Sequence, residues 1–262
     1  MSDAIEPAHP VAPVAPVAPV APVPPVPPLR IGLVAEGATE WEVIDSALKA
    51  IFPSRPYVLT RLQPDATRPE MGQGWGGVLK WCQQVAERTP AGGRTVEADP
   101  TLSLFDAVLL QLDADVATLR YDQLSAQFDD AEVARRGWHP LPCITACPPA
   151  AVSADPLRAV LLSWLQPATQ GPGTVVCLPA MNTGAWQAAA MLPAGHALLP
   201  DLECRADIEA RLALLPLALR VDKGKRASRL RAAAEVAKRW ADVTARCTRA
   251  AEFDRDIRTA LP

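Results

Sequence analysis

The sequence predicts an α/β fold: a mainly parallel sheet flanked by helices, with a helical appendage at the C-terminus. Three observations carry this. Short, almost wholly apolar runs at residues 31–35 and 108–112 have the length and composition of strands buried on both faces. Segments with apolar residues at three- and four-residue intervals follow such runs, so strands and helices alternate. From about residue 201 onward only helical patterns remain.

In chain order, residues 1–28 come first. The stretch PVAPVAPVAPVAPVPPVPP repeats a three-residue unit, lacks backbone donors at regular intervals and has no period able to bury a face. An extended, polyproline-II-like tail is expected, either a linker or a docking segment for a proline-recognising partner. Asp3 and Glu6 stand where a secretory signal carries basic residues, and prolines interrupt every apolar stretch. The expectation is therefore a chain with no signal, no membrane contact and a cytoplasmic location.

Residues 31–35 form the first expected strand. Gly37 supplies the freedom for a sharp turn. Thr39, three residues before Glu42, has the spacing of a capping box, and Trp41, Ile44, Leu48 and Ile51 recur at helical intervals. A helix should run from Thr39 to before Pro53. Residues 56–62 read as a second strand and 78–89 as a second helix. The glycine-rich MGQGWGGV between them is either a plain connection or a set of backbone amides for a phosphate, although it matches neither a Walker loop nor a dinucleotide fingerprint. Residues 108–112 lead into Asp113 and Asp115, which point to one side because they are two apart in an extended segment. Asp106 belongs to the other end of that strand and is no site candidate. A strand at 141–146, a helix near 156–165 and a strand at 174–180 complete the sheet region. Helices are expected at 186–192, 207–219 and 226–249.

This order puts Glu36 at the carboxyl end of the first strand, Glu40 in the first turn of the following helix, and Asp113 and Asp115 at the end of a later strand. Ligands bind at that edge of an open α/β sheet. Four carboxylates gathered there suit Mg²⁺ or Mn²⁺, hard cations that prefer oxygen ligands. The plainer reading is that acids near a helix start favour its dipole.

The pattern E-G-x-T-E after a first strand, followed by D-x-D after a later one, resembles the Toprim domain. It is most similar to nuclease-type Toprim proteins related to the overcoming-lysogenisation-defect family and their small stand-alone bacterial relatives. The resemblance covers residues 29–190 and implies a Toprim-like (Rossmann-like) sheet over 29–200, with 201–262 as a basic helical extension. It implies that Glu36 is the acid/base glutamate, that Asp113 and Asp115 bind metal, and that Glu40 is the additional glutamate of the nuclease branch. Gly184 stands where the small relatives carry an acid shortly before a tryptophan, here Trp186. The family's nucleases also use a lysine beyond the core, to which Lys223 and Lys225 both correspond. We place Lys225 in the catalytic set and Lys223 among the nucleic-acid-binding cations, although spacing does not choose between them.

A topoisomerase would need a tyrosine delivered from a separate domain, and the chain has only Tyr57 and Tyr121. A primase would need a nucleotide-loading region. What the resemblance leaves is a divalent-metal-dependent nuclease acting on DNA in bacterial phage defence, with any ATPase supplied by another polypeptide. The alternative is a non-catalytic Toprim-like subunit that binds nucleic acid or a partner protein.

Charge is unevenly spread. The net charge is −3, but residues 205–262 carry 14 Lys or Arg against 8 Asp or Glu, a net of +6 that leaves −9 elsewhere. Arg220, Lys223, Lys225, Arg226, Arg229 and Arg231 are the densest group, suited to phosphate contact or to a solvated helix face. The six cysteines, without a signal peptide, are expected to be free thiols. His139, Cys143 and Cys147 lack the further ligands of a zinc site, so core thiols are expected there.

Overall fold

A computed structural model describes residues 26–143 and 147–262. Most of the expected proline-rich tail and the second half of the strand expected at 141–146 lie outside the described residues.

The sheet has four strands, all parallel, in the order β2-β1-β3-β4. These are β1 (Leu29–Val34), β2 (Tyr57–Gln63), β3 (Ala107–Gln111) and β4 (Thr174–Cys177). Every residue of β3 and β4 is buried, as their apolar sequences require when helices cover both faces. Ile31 pairs with Ala107 and Leu110 with Val176, so β1, β3 and β4 end at one edge.

Side-chain alternation divides the core in two. Ile31, Leu33, Leu109 and Val175 face one layer; Val34, Val108, Leu110 and Val176 face the other. The second layer is covered by α2 (Gly74–Arg88) and α4 (Ala151–Leu165), anchored by Trp81 and Trp164. The first is covered by α1 (Ala38–Ile51), α5 (Gly184–Met191), α6 (Ile208–Leu214), α7 (Arg226–Lys238), α8 (Trp240–Arg246) and α9 (Thr248–Ala260). A short α3 (Asp130–Arg135) lies between β3 and α4 in sequence. Val236, Trp240 and Phe253 share a core with Leu33 and Ile44, so the C-terminal helices pack on the sheet layer. Burying a side chain such as Leu33 or Phe253 contributes about 2 kcal/mol.

Several expectations need correction. The glycine-rich segment is shorter as a loop than expected, because α2 already begins at Gly74. Residues 141–143 carry no strand. The single helix expected over 226–249 is two, broken at Arg239, with a third after Cys247. Thr39 and Glu42 form no capping box: the N-cap of α1 is Gly37, without a side-chain cap, because Glu42 is drawn instead to Arg229. Nor are all thiols free and internal. Cys147 and Cys204 form a disulfide with their Cα atoms 5.4 Å apart, and Cys143 is exposed. A pairing across 57 residues depends on where the fold brings the two segments, which local sequence does not reveal. Among the described residues no helix is long and apolar enough to cross a membrane.

Candidate metal and phosphoryl site

β1 continues through Ala35, whose N–H donates to the Gln63 carbonyl, before the chain turns at Glu36 and Gly37 into α1. β3 continues likewise. The N–H groups of Leu112, Ala114 and Asp115 donate to the carbonyls of Cys177, Pro179 and Met181, so the chain beyond β3 is laid along the chain beyond β4. This ladder fixes where the strand-end carboxylates lie.

Glu36 and Asp113 meet. Glu36 Oε1 accepts the Asp113 N–H at 2.7 Å. Gln111, fully buried at the end of β3, ties the two together: its Oε1 accepts the Glu36 N–H at 3.2 Å, and its Nε2 donates to Asp113 Oδ1 at 2.7 Å. Glu40, on the first turn of α1, is also buried. Asp115 opens a short 3-10 turn at Ala114–Thr118 and remains partly exposed. Asp106 is at the opposite edge, where its Oδ2 accepts the Arg30 N–H, as its position before the strand predicts.

The electrostatics describe carboxyls that cannot readily ionise together. Burial pushes Glu36 up to about 8, and Asp115 and Glu40 add to the rise against the lowering effect of the Asp113 N–H and Lys223. Burial also holds Asp113 well above the usual carboxylate range, reinforced by Glu36, Glu40 and Asp115. Asp115 rises to about 6 through burial and then the charge of Glu209, opposed by Lys223. Like charges cannot all ionise in so small a space without a cation.

The cation present is Lys223, from the segment between α6 and α7. Its Nζ lies 2.5 Å from Glu209 Oε1 and 3.7 Å from Glu40 Oε1. Burial would lower Lys223, but Glu209, Glu40 and Asp113 hold it above its ordinary value. Lys225, expected in the catalytic role, has its ammonium 3.3 Å from Asp222 and is mostly exposed. The spacing that left both lysines open is thereby resolved in position: Lys223 is at the carboxylates, Lys225 at the surface.

The nucleic-acid-binding set is also redistributed. Arg229 pairs with Glu42 at 2.9 Å, both side chains largely shielded, and donates to the Lys223 carbonyl. Arg231 donates to the carbonyls of Leu217, Ala218 and Arg220. These guanidiniums hold the 215–225 segment in place. Lys225 and Arg226 remain exposed.

Two residues of this neighbourhood were not anticipated. Gln111 had a readable signal, a polar residue inside an apolar strand two positions before Asp113. Glu209 had none, since it sits on a short helix far along the chain. The glycine-rich segment flanks the site, with the Gly74 N–H donating to the Glu36 carbonyl at 2.8 Å.

Oxygen donors of this kind fit Mg²⁺ or Mn²⁺ chemically. The fit is one of donor type and uncompensated charge; among the described residues no three His, Cys, Asp or Glu side chains are grouped to hold an ion. No family model matches the chain, and no curated protein or solved structure matches it.

Proposed function

We propose that the chain is a divalent-metal-dependent phosphodiesterase, a nuclease acting on DNA. The observation that carries the proposal is the joining of Glu36 to Asp113 across two strand ends, with burial and mutual repulsion raising both carboxyls. The likeness of EGATE and DAD to Toprim nucleases supports the same reading, and with it a separately encoded ATPase and a role in phage defence.

In this reading Asp113, Asp115 and Glu40 would hold Mg²⁺ or Mn²⁺, which would supply Lewis-acid stabilisation of the charge that develops on phosphoryl oxygens. Glu36, raised to about 8, carries a proton near neutral pH and gives it to the departing oxygen as the phosphodiester bond breaks. Gln111 orients Asp113 through its side-chain amide. Lys223 offers its ammonium to a phosphate oxygen. Lys225 and Arg226 give the strand an exposed cationic approach.

The competing reading is a non-catalytic subunit that binds nucleic acid or a protein; its support is Gly184, which stands where the resemblance expects an acid. Cleavage of plasmid and linear DNA with Mg²⁺ or Mn²⁺ decides between them. The proposal expects metal-dependent nicking or cutting by the wild type and none by Glu36→Gln. DNA binding without cleavage under either metal, with candidate partner proteins present, would establish the non-catalytic reading.

A further inference from the structure

Gly184, the first residue of α5, has its place for a side chain already filled. A Cβ built there would lie 2.5 Å from Glu209 Cγ and 2.7 Å from Asn182 Oδ1, closer than carbon atoms approach without something moving. The stem of Glu209 therefore passes through the gap that a glycine leaves, and its carboxylate emerges at Lys223 Nζ, 2.5 Å away. Among the described residues Lys223 has no other carboxylate as near: Glu40 is at 3.7 Å. Its neighbour Gly224 has its N–H on Asp222 Oδ1, which fixes the turn but not the lysine side chain.

We infer that Glu209 is the positioning residue that seats Lys223 over the carboxylates, and that Gly184 is required because only a residue without a side chain lets Glu209 through. The missing side chain at 184 and the carboxylate at 209 are then one arrangement: an acid delivered from α6 into the space that α5 leaves open. This rests on the phosphodiesterase reading only for its consequence, that Lys223 reaches a phosphate oxygen. The seating itself is independent of any metal.

The test compares acetylation of Lys223 by acetic anhydride with that of Lys225 in the same metal-free protein, read by peptide mass spectrometry. Exposed Lys225 is the internal reference. In the wild type Lys223 should react more slowly. Glu209→Met, of similar size but without an acceptor, should raise the Lys223-to-Lys225 ratio about fivefold, within the protection one partly exposed ion pair can give. Gly184→Ala should raise it likewise by displacing the Glu209 stem, and Glu209→Gln, which keeps an acceptor oxygen, should fall between. An unchanged ratio in Glu209→Met, with thermal unfolding also unchanged, overturns the inference, whatever Gly184→Ala does. A second arm measures Mn²⁺-dependent cleavage: Glu209→Met should lower kcat, and the loss should vanish in a Lys223→Met background. A loss of equal size in both backgrounds means that Glu209 acts by itself and also overturns the inference. Absence of cleavage by the wild type removes the phosphodiesterase reading, while the acetylation ratio still decides the role of Glu209.

Discussion

The acidic strand ends and the basic start of α7 are the two charge groups that the sequence offers for chemistry, and the fold treats them in opposite ways. The acids at 36, 40, 113 and 115 are drawn together and largely shielded, and burial holds Glu36 and Asp113 well above the usual carboxylate range. Of the cations between 223 and 231, three turn inward: Lys223 to Glu209 and Glu40, Arg229 to Glu42, and Arg231 to backbone carbonyls. A strand end fixes where a side chain emerges. A helix with cations at many positions presents some of them to its own neighbours, and periodicity does not say which.

Asp113 separates the acidic site from the basic helix most clearly. Replacing Asp113 with Ala should lower metal-dependent cleavage about a thousandfold or more, several kcal/mol of transition-state stabilisation, while DNA affinity stays within about twofold. Parallel cleavage and filter-binding titrations would show this, and equal losses in both would place Asp113 in folding instead.

Arg229 tests the opposite side. Arg229→Met leaves Glu42 shielded and without its partner, so stability should fall by about 2–3 kcal/mol, somewhat below the cost of breaking a fully buried pair. Exposed Arg226, replaced in the same way, should change stability by no more than about 0.5 kcal/mol. Urea denaturation of the two variants sharpens the distinction between cation as structure and cation as surface.

The raised carboxyl of Glu36 also predicts an inverted pH dependence. Glu36 is raised from 4.5 to about 8, so between those values the folded protein holds a proton that the unfolded chain has released. Stability contributed by this group is therefore lost as pH rises through that window, and a metal should restore it on the alkaline side. Melting of the metal-free protein should fall by at least about 2–4 °C from pH 5 to pH 8.5, the change expected of 1 kcal/mol in a chain of this size. Glu36→Gln should flatten the slope.

The smallest effect concerns the exposed cations. Charge reversal at Lys225 and Arg226 should weaken DNA binding in a salt-dependent way and reduce the slope of log affinity against log salt by about 1–2, as loss of one or two phosphate contacts does. A salt titration by fluorescence anisotropy reads this directly.

Much of the fold was legible because its signals are local. β1 and β3 are short apolar runs, and the acids that end them lie where strand polarity puts them. Asp106 was placed at the far edge by the same reasoning. The unread parts depend on distant partners. Glu42 looked like half of a capping box because Thr39 is at the right spacing, but Arg229, 187 residues away, claims it. Cys147 finds Cys204 only in the folded chain. Lys223 and Lys225 are equivalent by spacing and separated only by the turn at Asp222, which keeps Lys225 at the surface. Glu209 becomes visible only once Gly184 is known to lie beneath it.

The central claim is that the shielded carboxylates at the ends of β1 and β3 form a metal site, and titration of Mn²⁺ into the purified protein at pH 8, read by electron paramagnetic resonance, tests it most directly. Saturable binding by the wild type that is lost in Asp113→Ala, with Asp106→Ala at the opposite sheet edge unaffected, is the predicted result. No saturable binding by a folded wild type, or binding that survives Asp113→Ala undiminished, would contradict it.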